Sequence, residues 1–153
     1  MESEQATMTA NGMYQYDAPI QTKDGIVTLS SLAHKTHEYN STSNKWPQIV
    51  LKEGCFGFDN MCVCVGFIND KLKNTDEICT VEQIANFIHE AWIINYKFWR
   101  DHPPKHPYTQ PFKALGDDRR NSLANTPYSK LSDFEKSKDL VIAKFFMDVF
   151  GIN

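Results

Sequence analysis

From Met13 to Phe67 the chain alternates short apolar or β-branched runs with turn residues, and no helical period is sustained. Three stretches read as strands: Gly25 to Leu32, Gln48 to Lys52, and Cys55 to Phe67, the last broken by a turn at Asp59-Asn60. Met61-Cys62-Val63-Cys64-Val65-Gly66-Phe67 has the small, β-favouring residues of a buried strand. The pattern changes at Thr80. Apolar residues then recur at Val81, Ile84, Phe87, Ile88, Ala91, Trp92, Tyr96 and Trp99, one face of a helix that must stop before Pro103 and Pro104. Thr80 and Gln83 have the spacing of a reciprocal capping box. Ser132 and Glu135 repeat it before a second helix, whose end is marked by Gly151. Between the two helices, Asp101 to Tyr128 is too long for a plain link and predicts a folded functional loop or a short extra helix.

The pattern therefore predicts an α+β chain. A polar tail (1–12) precedes a small antiparallel β-rich part (13–79), and a helical domain (80–153) with two main packed helices follows. The tail is expected to be ordered only where something holds it. Across 153 residues the hydrophobic content is 41% and the aromatic content 12%, enough apolar area to offset the ordering entropy of most of the chain. The last helix carries Phe134, Phe145, Phe146 and Phe150, more aromatic surface than two helices bury between them, so a homo-oligomer or an assembly partner is expected.

Charge sharpens the division. The net charge is −3, too small for a general polyanion binder, so no nucleic-acid partner is expected; residues 1–79 contribute −4 and residues 80–153 contribute +1. Lys97, Arg100, Lys105, Lys113, Arg119 and Arg120 make Lys97 to Arg120 the one locally basic stretch. Cys55, Cys62, Cys64 and Cys79 lack paired metal-binding spacing, no run is long enough to span a membrane, and nothing at the N-terminus resembles a signal peptide. A reducing, cytoplasmic setting follows, with no membrane partner.

Catalytic signatures are sparse. His89-Glu90 begins a zinc-protease motif, but Ile93 stands where its second histidine is needed. His102 and His106 are spaced as metal ligands, with Pro103-Pro104 between them. Gly54 and Gly57 lack the Lys-Ser or Lys-Thr of a phosphate loop, and Cys55 sits in a core-like context rather than a nucleophile's. No enzyme activity and no cofactor are expected.

Two segments resemble the ryanodine-receptor (RyR) repeat over about Thr80 to Gly151. Ile88, His89 and Trp92 match an I-H-x-x-W signature on the opening helix. Pro127, Tyr128, Leu131, Glu135, Lys136 and Asp139 match a P-Y-x-x-L-x-x-x-E-K-x-x-D segment leading into the second. Tyr96-Lys97-Phe98-Trp99-Arg100 departs from the family's G-W-x-Y-G stretch, and Asn125-Thr126 replaces its usual approach to the proline. The repeat also occurs in soluble bacterial and phage proteins, so the resemblance implies a non-catalytic module that binds a nucleotide-like small molecule, of ADP-ribose or cyclic-nucleotide type.

Aromatic rings stack on a base and guanidinium groups grip phosphates, which makes Trp99, Arg100, Tyr108, Arg119, Arg120 and Tyr128 the candidate ligand-binding residues, with Lys105 and Phe112 nearby. For the matched residues themselves the physical reading is mainly structural: Pro127 sets the chain direction, Tyr128 buries its ring, Leu131 staples the helix start, and the helix dipole favours Glu135 and Asp139. The alternative is a structural or interaction subunit of a viral or multi-protein assembly, with no small-molecule ligand.

Overall fold

The computed structural model describes residues 8–9, 11–48, 51–75, 79–102 and 118–152. Among them the fold is α+β: a small two-stranded antiparallel sheet near the N-terminus is followed by five packed helices. Strands β1 (Pro19–Thr22) and β2 (Gly25–Thr28) pair with Thr22 opposite Gly25, and Lys23-Asp24 form the turn. The helices are α1 (Leu29–Ser43), α2 (Phe56–Lys73), α3 (Val81–Asp101), α4 (Asp118–Ala124) and α5 (Asp133–Val149), with a 3-10 turn at Tyr128–Lys130 before α5.

Three strand expectations need correction. The strand starting at Gly25 stops at Thr28, because the Thr28 hydroxyl accepts from the Ser31 amide (3.1 Å) and caps α1. No strand forms at Gln48, Leu51 or Lys52; Ile49 and Val50 lie outside the described residues. Cys55 to Phe67 is not a hairpin: Phe56 onward is the 18-residue α2, and Asp59-Asn60 are helical. The reason is burial on every side. Phe58, Met61, Cys62, Val63, Cys64, Val65 and Ile68 are all buried, and a helix packed all round has no polar face to expose its period. The β-rich reading of 13–79 thus holds only for the hairpin.

Downstream, the two main helices form where their caps predict. Thr80 accepts from the Gln83 amide (3.2 Å) while the Gln83 side chain accepts from the Thr80 amide (2.8 Å), closing the capping box. Ser132 caps α5 by accepting from the Glu135 amide (3.2 Å), but the Glu135 carboxylate turns away to other partners, so this box stays half-made. At the far end Ile152 donates to Met147 and Gly151 (φ 69°) donates to Asp148, the two bonds of a Schellman cap.

Helix α2 runs through the centre, packed between α1 and α3, and α3 packs on α5. One apolar core joins Leu29, Phe58, Val63, Ile84, Ile88 and Phe146 across all four long helices. A second, smaller cluster holds Phe56, Tyr96, Trp99 and Ala124, where α4 closes against α3. The end of the N-terminal tail is tied down: Met8 bridges to Gln15, and Asn11 donates to the Asn95 side chain (3.3 Å) on α3. No helix among the described residues is long and apolar enough to cross a membrane.

Candidate functional site

A cleft of about 290 Å³ opens among α1, α2, α3, α4 and α5. Its lining combines Trp46 and Trp92 with the cations Arg119, Arg120 and Lys138, the carboxylates Glu135 and Asp139, His89, and the Asn60 side chain.

Each group is positioned by local chemistry. On α3, His89 is buried, and its Nε2 lies 2.7 Å from the Thr126 carbonyl oxygen. A carbonyl only accepts, so Nε2 carries the proton and donates; in the neutral ring Nδ1 is then left as an acceptor. Trp92, one turn on, lies nearly parallel to His89 (6.1 Å between ring centres, 8°) and to Tyr96 (4.9 Å, 9°), which holds the indole as a rigid wall. Trp46 arrives differently. After α1 the chain takes a left-handed turn at Lys45 (φ 58°), with Lys45 donating to Thr42 and Trp46 to Ser41. A lysine in that conformation costs about 1 kcal/mol relative to glycine, and it turns Trp46, 48% exposed, to the cleft.

The basic side comes from α4 and α5. Arg119 Nη2 reaches Glu135 Oε1 at 2.9 Å, and Lys138 Nζ lies 3.4 Å from Glu135 Oε2. The Glu135 carboxylate therefore sits between two cations, which explains why it does not complete the capping box.

Deeper in, Asp139 is raised to about 7, chiefly by burial, with the Glu135 charge adding and Lys138 opposing. A favourable dipole was expected here, but Asp139 is the seventh residue of α5, and the dipole acts mainly within the first turn. Burial wins. His89 Nδ1 lies 3.9 Å from Asp139 Oδ2, too long for a hydrogen bond. On α2, Asn60 also lines the cleft, while its Oδ1 is buried without any hydrogen-bond partner.

The expected site residues divide. Arg119 and Arg120 line the cleft. Trp99 instead fills the smaller core, 2% exposed and edge-on to Phe56 (5.9 Å, 88°), with its indole nitrogen unpartnered. Arg100 is spent on Asp101 (2.9 Å) and the Asn121 side chain (3.0 Å), and this bond holds the Asp101 carboxyl below its usual range. Tyr128 buries its ring and donates to Glu82 (2.7 Å); burial and that carboxylate push its phenol up. Tyr108, Lys105, Phe112 and His106 lie outside the described residues, while His102 points its ring nitrogen at the Phe98 carbonyl (3.1 Å).

Sequence reasoning passed over Trp46, Asn60 and Lys138 as site residues, and treated His89, Trp92 and Asp139 as framework. A signal for the last three was present. His89 and Trp92 belong to the first matched segment, and Leu131, Glu135 and Asp139 to the second; all five line one cleft. Nothing comparable marked Asn60, which sits in the stretch misread as a turn. Cys62 and Cys64 are buried thiols pushed up by that burial, and they take no part in the cleft.

No protein-family model matches the chain, and neither a curated protein nor a solved structure does.

Proposed function

We propose that the chain is a non-catalytic binding protein whose cleft captures a small phosphorylated, nucleotide-derived ligand. One observation carries this reading: Arg119, Arg120 and Lys138 share a single concave site with the rigid indole of Trp92. An aromatic wall gives a base an apolar surface to rest against, and a guanidinium cluster takes a phosphate. In the free protein Glu135 occupies Arg119 and Lys138. A phosphate carries more charge than one carboxylate and competes for the same donors. The volume stands at the low end of the roughly 300–1,000 Å³ typical of ligand pockets, which fits a mononucleotide, or one end of a larger molecule such as ADP-ribose. The convergence of both RyR-like segments on this cleft supports the resemblance as well. The free cysteines support a cytoplasmic setting.

A thermal-shift screen of the intact protein against ATP, ADP-ribose, NAD and cyclic nucleotides tests the proposal. At a hundredfold excess over Kd, binding contributes about 2.7 kcal/mol and raises Tm by about 5–10 °C. Arg119→Ala and Trp92→Ala are expected to abolish the shift. A flat response from the unaltered protein rejects the ligand-binding reading and favours the assembly role, which a measurement of oligomeric mass then addresses.

A further inference from the structure

Two tryptophans line the cleft, and the fold treats them differently. Trp92 lies in a row of near-parallel rings along α3, with His89 at 6.1 Å and Tyr96 at 4.9 Å between ring centres. Its indole is already engaged by the protein and stands as a fixed wall. Trp46 takes part in no ring stack or cation–π contact among the described residues and is 48% exposed. A lone exposed indole on a protein surface calls for no explanation. This one borders the same concavity as Arg119, Arg120 and Lys138, and the backbone bends to put it there. Lys45 takes a left-handed φ of 58°, and the Trp46 amide donates to the Ser41 carbonyl at 2.9 Å. Beyond it, the Gln48 side chain donates to the Thr42 hydroxyl at 3.1 Å. Backbone strain fixed by hydrogen bonds on both sides of one residue, beside a cavity, points to a side chain held ready for a ligand. An open indole face gains most from a flat π system, and the cations of the cleft favour one that carries negative charge.

We infer that Trp46 is the residue that stacks on the base of the bound nucleotide, while Trp92 bounds the pocket as a rigid wall. This rests on the proposed nucleotide binding and assigns the base its partner: Arg119, Arg120 and Lys138 hold the phosphate, and Trp46 covers the ring. Trp46 lies outside both RyR-like segments, so the resemblance gives no reason to expect it there. Every base has a π face, so the contact contributes affinity without choosing strongly among bases.

The test is a titration of the intact protein with AMP and with ribose 5-phosphate, which keeps the sugar and the phosphate and lacks the base. The unaltered chain, Trp46→Ala and Trp46→Phe are compared. AMP is expected to bind about tenfold more tightly than ribose 5-phosphate, and to quench indole fluorescence where ribose 5-phosphate does not. Trp46→Ala should bring AMP down to the ribose 5-phosphate affinity while leaving ribose 5-phosphate unchanged. Trp46→Phe, which keeps a ring, should retain most of the preference and lose most of the quench. A variant that simply misfolds would weaken both compounds and cannot give this pattern. Equal affinities in the unaltered chain, an AMP preference that survives Trp46→Ala, or equal weakening of both compounds by it overturn the stacking role and leave phosphate binding standing. No binding of either compound to the unaltered chain overturns both readings.

Discussion

Two aspartates in this protein sit on packed helices, one fully buried and the other at the edge of the cleft, and they are treated in opposite ways. Asp59, in the first turn of α2, is fully buried and accepts from the Tyr16 hydroxyl at 2.7 Å; that same hydroxyl accepts from the Gly54 amide at 2.8 Å. Burial and the neighbouring carboxylate push the Tyr16 phenol up, so it keeps the proton it donates. Asp139, on α5, keeps 17% of its side chain exposed and has a ring nitrogen 3.9 Å away where Asp59 has a hydroxyl at bonding distance. The first carboxylate belongs to the framework: it pins the N-terminal segment to the central helix. The second faces the cleft with unspent hydrogen-bonding capacity. A polar group that is buried and satisfied belongs to the framework, whereas one at the edge of a cavity with no protein hydrogen bond is left open to whatever enters it.

Breaking the first site should produce the larger effect. Asp59→Ala strands the Tyr16 hydroxyl in the core and removes a negative charge from a helix N-terminus. A loss of about 3 kcal/mol is expected, seen as a Tm lower by roughly 6–12 °C in calorimetry. A loss below about 1 kcal/mol would mean that Asp59 is no better satisfied than Asp139, and the contrast would collapse.

Asp139→Asn should act in the opposite direction and depend on pH. The folded-state value of about 7 lies above the roughly 4 of an unfolded aspartate. Folding therefore favours the protonated form. The penalty is absent below about pH 4, grows as pH rises toward 7, and is complete above it. Asparagine, neutral throughout, should stabilise the protein at pH 8 by on the order of a few kcal/mol and by nothing near pH 4. Denaturant midpoints for both chains at the two pH values check this. An asparagine variant less stable at pH 8 would place Asp139 with the framework.

The smallest effect sharpens the same distinction at the mouth of the cleft. Lys45 holds a left-handed conformation that glycine adopts freely, so Lys45→Gly should gain about 1 kcal/mol while keeping Trp46 in place. The urea midpoint measures the gain, and Trp46 fluorescence reports whether the ring has moved.

These contrasts also separate what was legible along the chain from what was not. Helix α3 announced both ends: a capping box at Thr80 and Gln83, and prolines just past the last turn, with one apolar face between them. Such signals are local, carried by residues three or four apart, and they survive without knowledge of the fold. Helix α2 hid itself. Its residues are apolar on every side because α1 and α3 enclose it, and Cys62-Val63-Cys64-Val65 then reads equally as a buried strand. The same loss of pattern concealed Asn60, whose inward amide has meaning only once the helix and its neighbours are known.

For the site, composition pointed to arginines and aromatic rings, and the fold brings only some of them to the cleft. Trp92 and Trp99 lie on one helix and are chemically alike, yet Trp99 is walled in by Phe56 and Ala124 while Trp92 borders the cleft. Arg100 and Arg119 are both arginines of the basic stretch, but Asp101 and Asn121 engage the first and the cleft admits the second.

Sequence alone determined the start and stop of α3 and α5, the apolar faces by which they pack, and the presence of arginines near aromatic rings. Each depends on short-range spacing, on capping geometry or on residue type. Tertiary structure decided that α2 is a helix, which tryptophan meets the cleft, and that Asp139 rather than Asp59 is left without a hydrogen bond. Those outcomes depend on how much water each group loses and which partner from another helix replaces it, and both are properties of the packed chain rather than of any one segment.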